Sequence, residues 1–186
     1  MGSLPLNALF IRIWTRWALG FFLVASLLGL TMRAFYVVEI PVLEYRHILH
    51  AHSHLALLGW GFMMLMGAMI VAVDDRSDYV KRYGWWSVAL VISLIGMLLS
   101  FPVQGYGSVS ISFSTLFVLI SYGIIFQFWR SFRNKINSPG LRLIRWSVIG
   151  YLISTLGLWA LGPVTATLGR MHELYFMTIQ WFLHFQ

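Results

Sequence analysis

The chain has 186 residues, of which 59% are apolar, 17% aromatic and only 10% charged, and its net charge is +7. Charged residues make up about a quarter of an ordinary soluble domain, so this composition excludes one; cysteine is absent, which excludes a disulfide framework and thiolate metal sites. The cations gather at the ends of apolar runs, which is an orientation signal in a membrane protein and not a nucleic-acid footprint.

Several apolar runs reach the ~20 residues that a helix needs to cross the hydrocarbon core. They are too long and continuous for barrel strands. They predict an all-α integral membrane protein: a single domain, in contact with the lipid bilayer, with about six transmembrane helices in a bundle. After a lead-in over 1–16 with Arg12 and Arg16, the first span runs over about 17–38, with Arg33 near its far end able to snorkel to the head groups. A connector with Pro41 and two acids leads to the second span, 47–73. A loop of mixed charge, Asp74 to Arg82, precedes the third, 85–103, which is closed by a Pro- and Gly-containing turn. The fourth covers 108–128, with a serine alternation at Ser108, Ser110, Ser112 and Ser114 suited to hydrogen bonding between helices. A basic loop broken at Pro139-Gly140 follows, then the fifth span over 146–161, closed by Gly162-Pro163. The last run, 172–186, covers only ~22 Å at the helical rise, so the sequence reads as a fragment or as one half of something larger.

Six spans place the N-terminus and the second and fourth loops on one side. Arg12, Arg16, Arg76, Lys81, Arg82, Arg130, Arg133, Lys135, Arg142 and Arg145 lie there, ten of the thirteen cations; Arg33, Arg46 and Arg170 lie on the other. The positive-inside rule then predicts a cytoplasmic N-terminus. Trp14, Trp17, Trp85, Trp86, Trp129 and Trp146 fall at that same edge, as an aromatic belt would.

Four of the six histidines, His47, His50, His52 and His54, crowd into the opposite end of the second span. Ionisable side chains inside a membrane mark functional sites by default. At 100° per residue His47, His50 and His54 fall within a ~60° arc, and His52 points almost the opposite way. One helix therefore presents two imidazole faces. His47 and His50, beside Glu44 and Arg46, read equally as interfacial residues wetted by head-group water. His52 and His54 lie deeper, two turns or more below Glu44. An axial haem ligand is one use for such an imidazole, and Gly59 and Gly61 leave room for a flat ring or, equally, for close helix packing. A bare zinc or copper site needs three or four ligands, to which His47, His50 and His54 are candidates. His184 sits in an aromatic helix with Gln180 one turn earlier; a packing role and a metal-ligand role both remain open. His172, beside Glu173, reads as a solvated end residue.

The stretch His52-Ser-His-Leu-Ala-Leu-Leu-Gly-Trp-Gly-Phe, followed by Met66-Gly-Ala, resembles the second helix of the catalytic subunit in the haem–copper oxidase superfamily, closest to its nitric oxide reductase and cbb3-type branches. The segment Gln-Trp-Phe-Leu-His184-Phe-Gln looks like the sixth helix of that subunit. The chain is also similar to uncharacterised bacterial membrane proteins related to it. The resemblance implies a haem b held by His52, with His54 or His50 as the alternative ligand, and a copper or non-haem iron at His184. It implies a role in electron transfer or respiration at a bacterial inner membrane. Arg46 would pair with haem propionates, or else with Glu44. The superfamily subunit has about twelve helices, and its remaining ligands lie in the half that has no counterpart here. A partner chain or a missing C-terminal half, and assembly as an oligomer or complex subunit, are therefore expected, and catalysis by this chain alone is not. The competing reading is a non-redox assembly factor, sensor or permease whose histidines bind a metal ion or a proton.

Overall fold

The computed structural model describes residues 6–75, 78–136, 138–169 and 171–185. Arg76, Arg170 and Gln186, which enter the expectations above, lie outside the described residues. The described chain is all helix and turn: α1 (Leu6–Ala34), α2 (Tyr45–His54), a π-helical segment (Leu55–Phe62), α3 (Met63–Val73), α4 (Tyr79–Gln104), α5 (Ser108–Phe132), α6 (Pro139–Leu168) and α7 (Glu173–Phe185). The α2–π–α3 stretch is one continuous rod, Tyr45–Val73, and with α1, α4, α5 and α6 it makes five helices long and apolar enough to cross a membrane. The protein is an all-α, multi-pass membrane protein. The sixth run forms only α7, whose 13 residues span about 20 Å.

The chain forms two compact units, residues 1–134 and 135–186. In the first, α1 lies along the α2–π–α3 rod and touches α4, while α4 packs on α2 and α5. Close approach depends on missing side chains. A Cβ on Gly59 would sit 2.9 Å from the Phe21 Cβ, and one on Gly67 would sit 2.8 Å from the Trp14 indole nitrogen. Trp14 therefore enters the core at 3% exposure and donates its indole N–H to the Met63 carbonyl at 2.6 Å. It belongs to the interior, not to the aromatic belt predicted for it; Trp85 and Trp146 are exposed.

The π segment has a packing cause. The buried residues above its end are Ile48, Ala51, Leu55, Leu58 and Gly59; those below are Met63, Met66, Gly67, Ile70 and Val73. On an ideal α-helix the lower set lies roughly 60° around from the upper. The wider π turns advance fewer degrees per residue and bring the two sets back toward one line, so that both face the neighbouring helices.

The helix ends differ from expectation where proline and glycine were taken as breaks. α1 begins by Leu6 and not near residue 17. α6 runs through Gly162-Pro163 to Leu168 and does not stop at 161, whereas α4, with Pro102 in its last turn, ends at Gln104, one residue from the expected 103. Proline removes one amide donor, a loss that membrane helices tolerate when neighbouring groups re-satisfy the backbone. Beyond Pro163, the hydroxyls of Thr165 and Thr167 donate to the Leu161 and Pro163 carbonyls of their own helix. Pro139, by contrast, opens α6 at its first turn, with the Ser138 hydroxyl accepting from the Leu141 amide at 3.2 Å.

The serine alternation of α5 bonds mostly within its own helix and turn. Ser110 donates to the Gly105 and Gly107 carbonyls and Ser112 to Ser108; Ser114 reaches across to Met97 Sδ at 3.4 Å. In the second unit α6 and α7 form a hairpin. Gly157 lets the α7 backbone approach at Thr178 and Phe182, and the Trp181 indole donates to the Ile153 carbonyl at 2.9 Å.

Candidate functional site at the histidine end of the second span

The four imidazoles of α2 divide between two neighbours. His52 turns toward α1, where its Nδ1–H donates to the Ala25 carbonyl at 2.8 Å. A carbonyl only accepts, so this bond fixes the tautomer: Nδ1 carries the proton and Nε2 carries the lone pair. A helical carbonyl points toward the residue four positions on, and at α1 that residue is Gly29. Its missing side chain exposes the Ala25 oxygen. A Cβ there would meet the His52 ring edge at 3.1 Å. His52 remains half-buried, and its Nε2 has no hydrogen-bond partner among the described residues.

His47, His50 and His54 face the end of α4 and the turn that follows it. The His54 Nδ1–H donates to the His50 carbonyl at 2.8 Å, and its ring lies 4.4 Å from that of Phe101, centroid to centroid. The Tyr106 hydroxyl lies 3.5 Å from His54 Nε2, at the limit of a hydrogen bond. Tyr106 also stands edge-on to His50, with centroids 4.4 Å apart. His47 lies against Gly105, whose φ of +56° suits glycine and whose absent side chain makes way for the ring. The turn over 105–107 thus covers this imidazole face with an aromatic lid. Among the described residues no three His, Cys, Asp or Glu side chains converge as a metal site.

The room read at Gly59 is filled by Phe21, so that glycine serves helix packing. Gly61 is open, with only its own helix's Ala56 carbonyl nearby, 3.4 Å from an added Cβ. Arg46 is exposed and forms no ion pair with Glu44 among the described residues. His172 accepts the Leu174 amide through Nδ1 at 3.2 Å, which makes it an exposed cap at the start of α7. His184 is exposed and stacks edge-on against Phe185 of its own helix, 4.9 Å away. The shallow depression it lines has walls from α7 alone: Met177, Gln180, Trp181 and Phe185.

A second polar cluster, which the sequence did not suggest, occupies the opposite end of the first unit. Asp74, expected in a loop, is 2% exposed. One carboxylate oxygen, Oδ2, accepts from Arg82 at 2.7 Å and from the Tyr83 hydroxyl at 2.8 Å, and its carbonyl accepts from the Tyr79 hydroxyl at 2.6 Å. Arg82 also donates to the Gln127 carbonyl of α5, and Asn7 of α1 accepts the Tyr79 amide. The signal present in the sequence is the spacing of Tyr79, Arg82 and Tyr83, which share one helix face. That face meets an acid set at the end of a 29-residue apolar rod.

No protein-family model, no curated protein and no solved structure matches this chain.

Proposed function

We propose that the protein is a membrane haem-binding protein of the kind its resemblance to the N-terminal half of a haem–copper oxidase catalytic subunit implies, with His52 as axial ligand to a haem b. The single observation that carries this reading is the setting of His52. Its Nδ1 is fixed on the Ala25 carbonyl and its Nε2 lone pair is unshared. Histidines that bind metals are held in this way, by a carbonyl or carboxylate on the other ring nitrogen. His52 fits one axial position. His54 and His50 fit it less well, because Phe101 and Tyr106 already pack against their rings. In this reading Arg46, exposed at the start of the same helix, would pair with a propionate by a charge-assisted hydrogen bond.

A bound haem supplies one-electron redox chemistry; the chain supplies the ligand, its tautomer and its burial. The first unit offers one such imidazole, so the second axial ligand, and any copper or non-haem iron at His184, call on a partner chain or a C-terminal half. The setting proposed is a bacterial inner membrane with the N-terminus in the cytoplasm, on the charge asymmetry of the loops.

The test is the optical spectrum of protein purified after expression with haem supply. A Soret band that His52→Ala abolishes, and that His54→Ala and His50→Ala retain, is the expected result. Colourless protein overturns the haem reading. The second reading would then stand: a non-redox protein using His47, His50 and His54, which share one face under the turn over 105–107.

A further inference from the structure

The segment joining α1 to α2, Phe-Tyr-Val-Val-Glu-Ile-Pro-Val-Leu over residues 35–43, is apolar or aromatic in every side chain but the exposed Glu39, and irregular in its backbone. Tyr36, Val37 and Val42 are 78%, 84% and 87% exposed. A contiguous apolar patch of this kind calls for a covering. The backbone makes the contrary demand. The Tyr36, Val37, Val38 and Leu43 amides bond within the turn, whereas those of Glu39, Ile40 and Val42 have no partner among the described residues. Such amides do not lie in hydrocarbon, which offers an unsatisfied group no partner. Bulk water suits the amides and not the side chains; the acyl core suits the side chains and not the amides. The head-group layer meets both demands.

From this conflict we infer that residues 35–43 form a membrane-interface anchor, seated on the lipid head groups at the histidine end of the protein. Three further observations fit that occupant. Leu27 and Leu30, on the last turns of α1 before the segment, are themselves 55% and 67% exposed. Exposed Arg33 and Arg46 bracket it, as cations suited to lipid phosphates. It is also clamped to the first turn of α2, because Phe35 and Tyr36 stand edge-on to Tyr45 with centroids 5.6 and 6.4 Å away. That clamp gives the anchor a consequence: with Tyr45 held at the interface, His52 lies about 10 Å deeper along the rod. The anchor sets the depth of His52 whatever that imidazole binds.

The absence of native cysteine makes the test direct. Nitroxide labels on Val37→Cys, Val42→Cys and Leu27→Cys are compared in the full chain in phosphatidylcholine–phosphatidylglycerol vesicles, by their collision rates with oxygen and with a water-soluble nickel chelate. At positions 37 and 42 the oxygen-to-nickel ratio is expected several-fold above that of free label in water and several-fold below that of the label at position 27. Ratios equal to free label place the segment in water and overturn the anchor. Ratios equal to position 27 place it in the acyl core and overturn it equally. Low collision with both reagents means that a protein, a second copy or another chain, covers the patch, and this too overturns it.

Discussion

The two ends of the first unit hold polar groups in the same apolar bundle, and they treat them differently. At the Asp74 end the strong groups satisfy one another: the carboxylate takes Arg82 and Tyr83, its carbonyl takes Tyr79, and Arg82 continues to the Gln127 carbonyl. At the histidine end His52 is bonded through one nitrogen and presents the other without a partner among the described residues. Burial of charge is costly unless the partners are complete, so a closed network reads as structure. A half-buried imidazole with an unshared lone pair reads as a site. The difference separates two clusters that residue types alone make look equally polar.

The contrast breaks first at its structural end. Asp74→Ala leaves Arg82 charged and nearly buried, and is expected to cost about 3–5 kcal/mol of stability. Asp74→Ala combined with Arg82→Met is expected to recover part of that loss. Denaturant unfolding of the purified protein checks both, and a loss below about 1 kcal/mol would mean that the closed network does not hold the helices. Next comes the floor beneath His52. Gly29→Val pushes on the imidazole edge and is expected to cost about 1–3 kcal/mol by overpacking. On the haem reading proposed above, the same variant should lower haem content as His52→Ala does, with Gly29→Ala, whose Cβ meets the ring at 3.1 Å, intermediate. Full haem content in Gly29→Val would show that the Ala25–His52 contact does not position the ligand. The smallest effect is expected at the lid. Tyr106→Phe keeps the ring and removes the hydroxyl that lies 3.5 Å from His54, so stability should change by less than about 1 kcal/mol, with an unaltered Soret band. A shifted band would bring the His54 face into the site and blur the distinction between the two imidazole faces.

How much is legible in the sequence follows from the range of each interaction. The split of His52 from His47, His50 and His54 was legible because it is set by the turn of a single helix. The neighbour each face would meet was not: Ala25 and Gly29 lie on another helix, 27 and 23 positions back along the chain. Gly162-Pro163 misled because the rule for breakers weighs only the local backbone, and membrane helices carry such residues. Asp74 looked like a loop acid because its partners, Tyr79, Arg82 and Tyr83, reach it only once α4 folds back on the bundle.

Composition and apolar run length alone determined that this is a helical membrane protein, because hydrocarbon permits a chain no other way of spanning it from these segments. The spacing of the histidines alone determined that one helix carries two imidazole faces. Tertiary structure decided the rest. Packing required the π turn that aligns the second span, the bundle enclosed the Asp74 carboxylate among its donors, and a carbonyl laid bare by Gly29 left His52 with a lone pair to offer. These are contacts between helices, and nothing in a single helix's sequence specifies its neighbour.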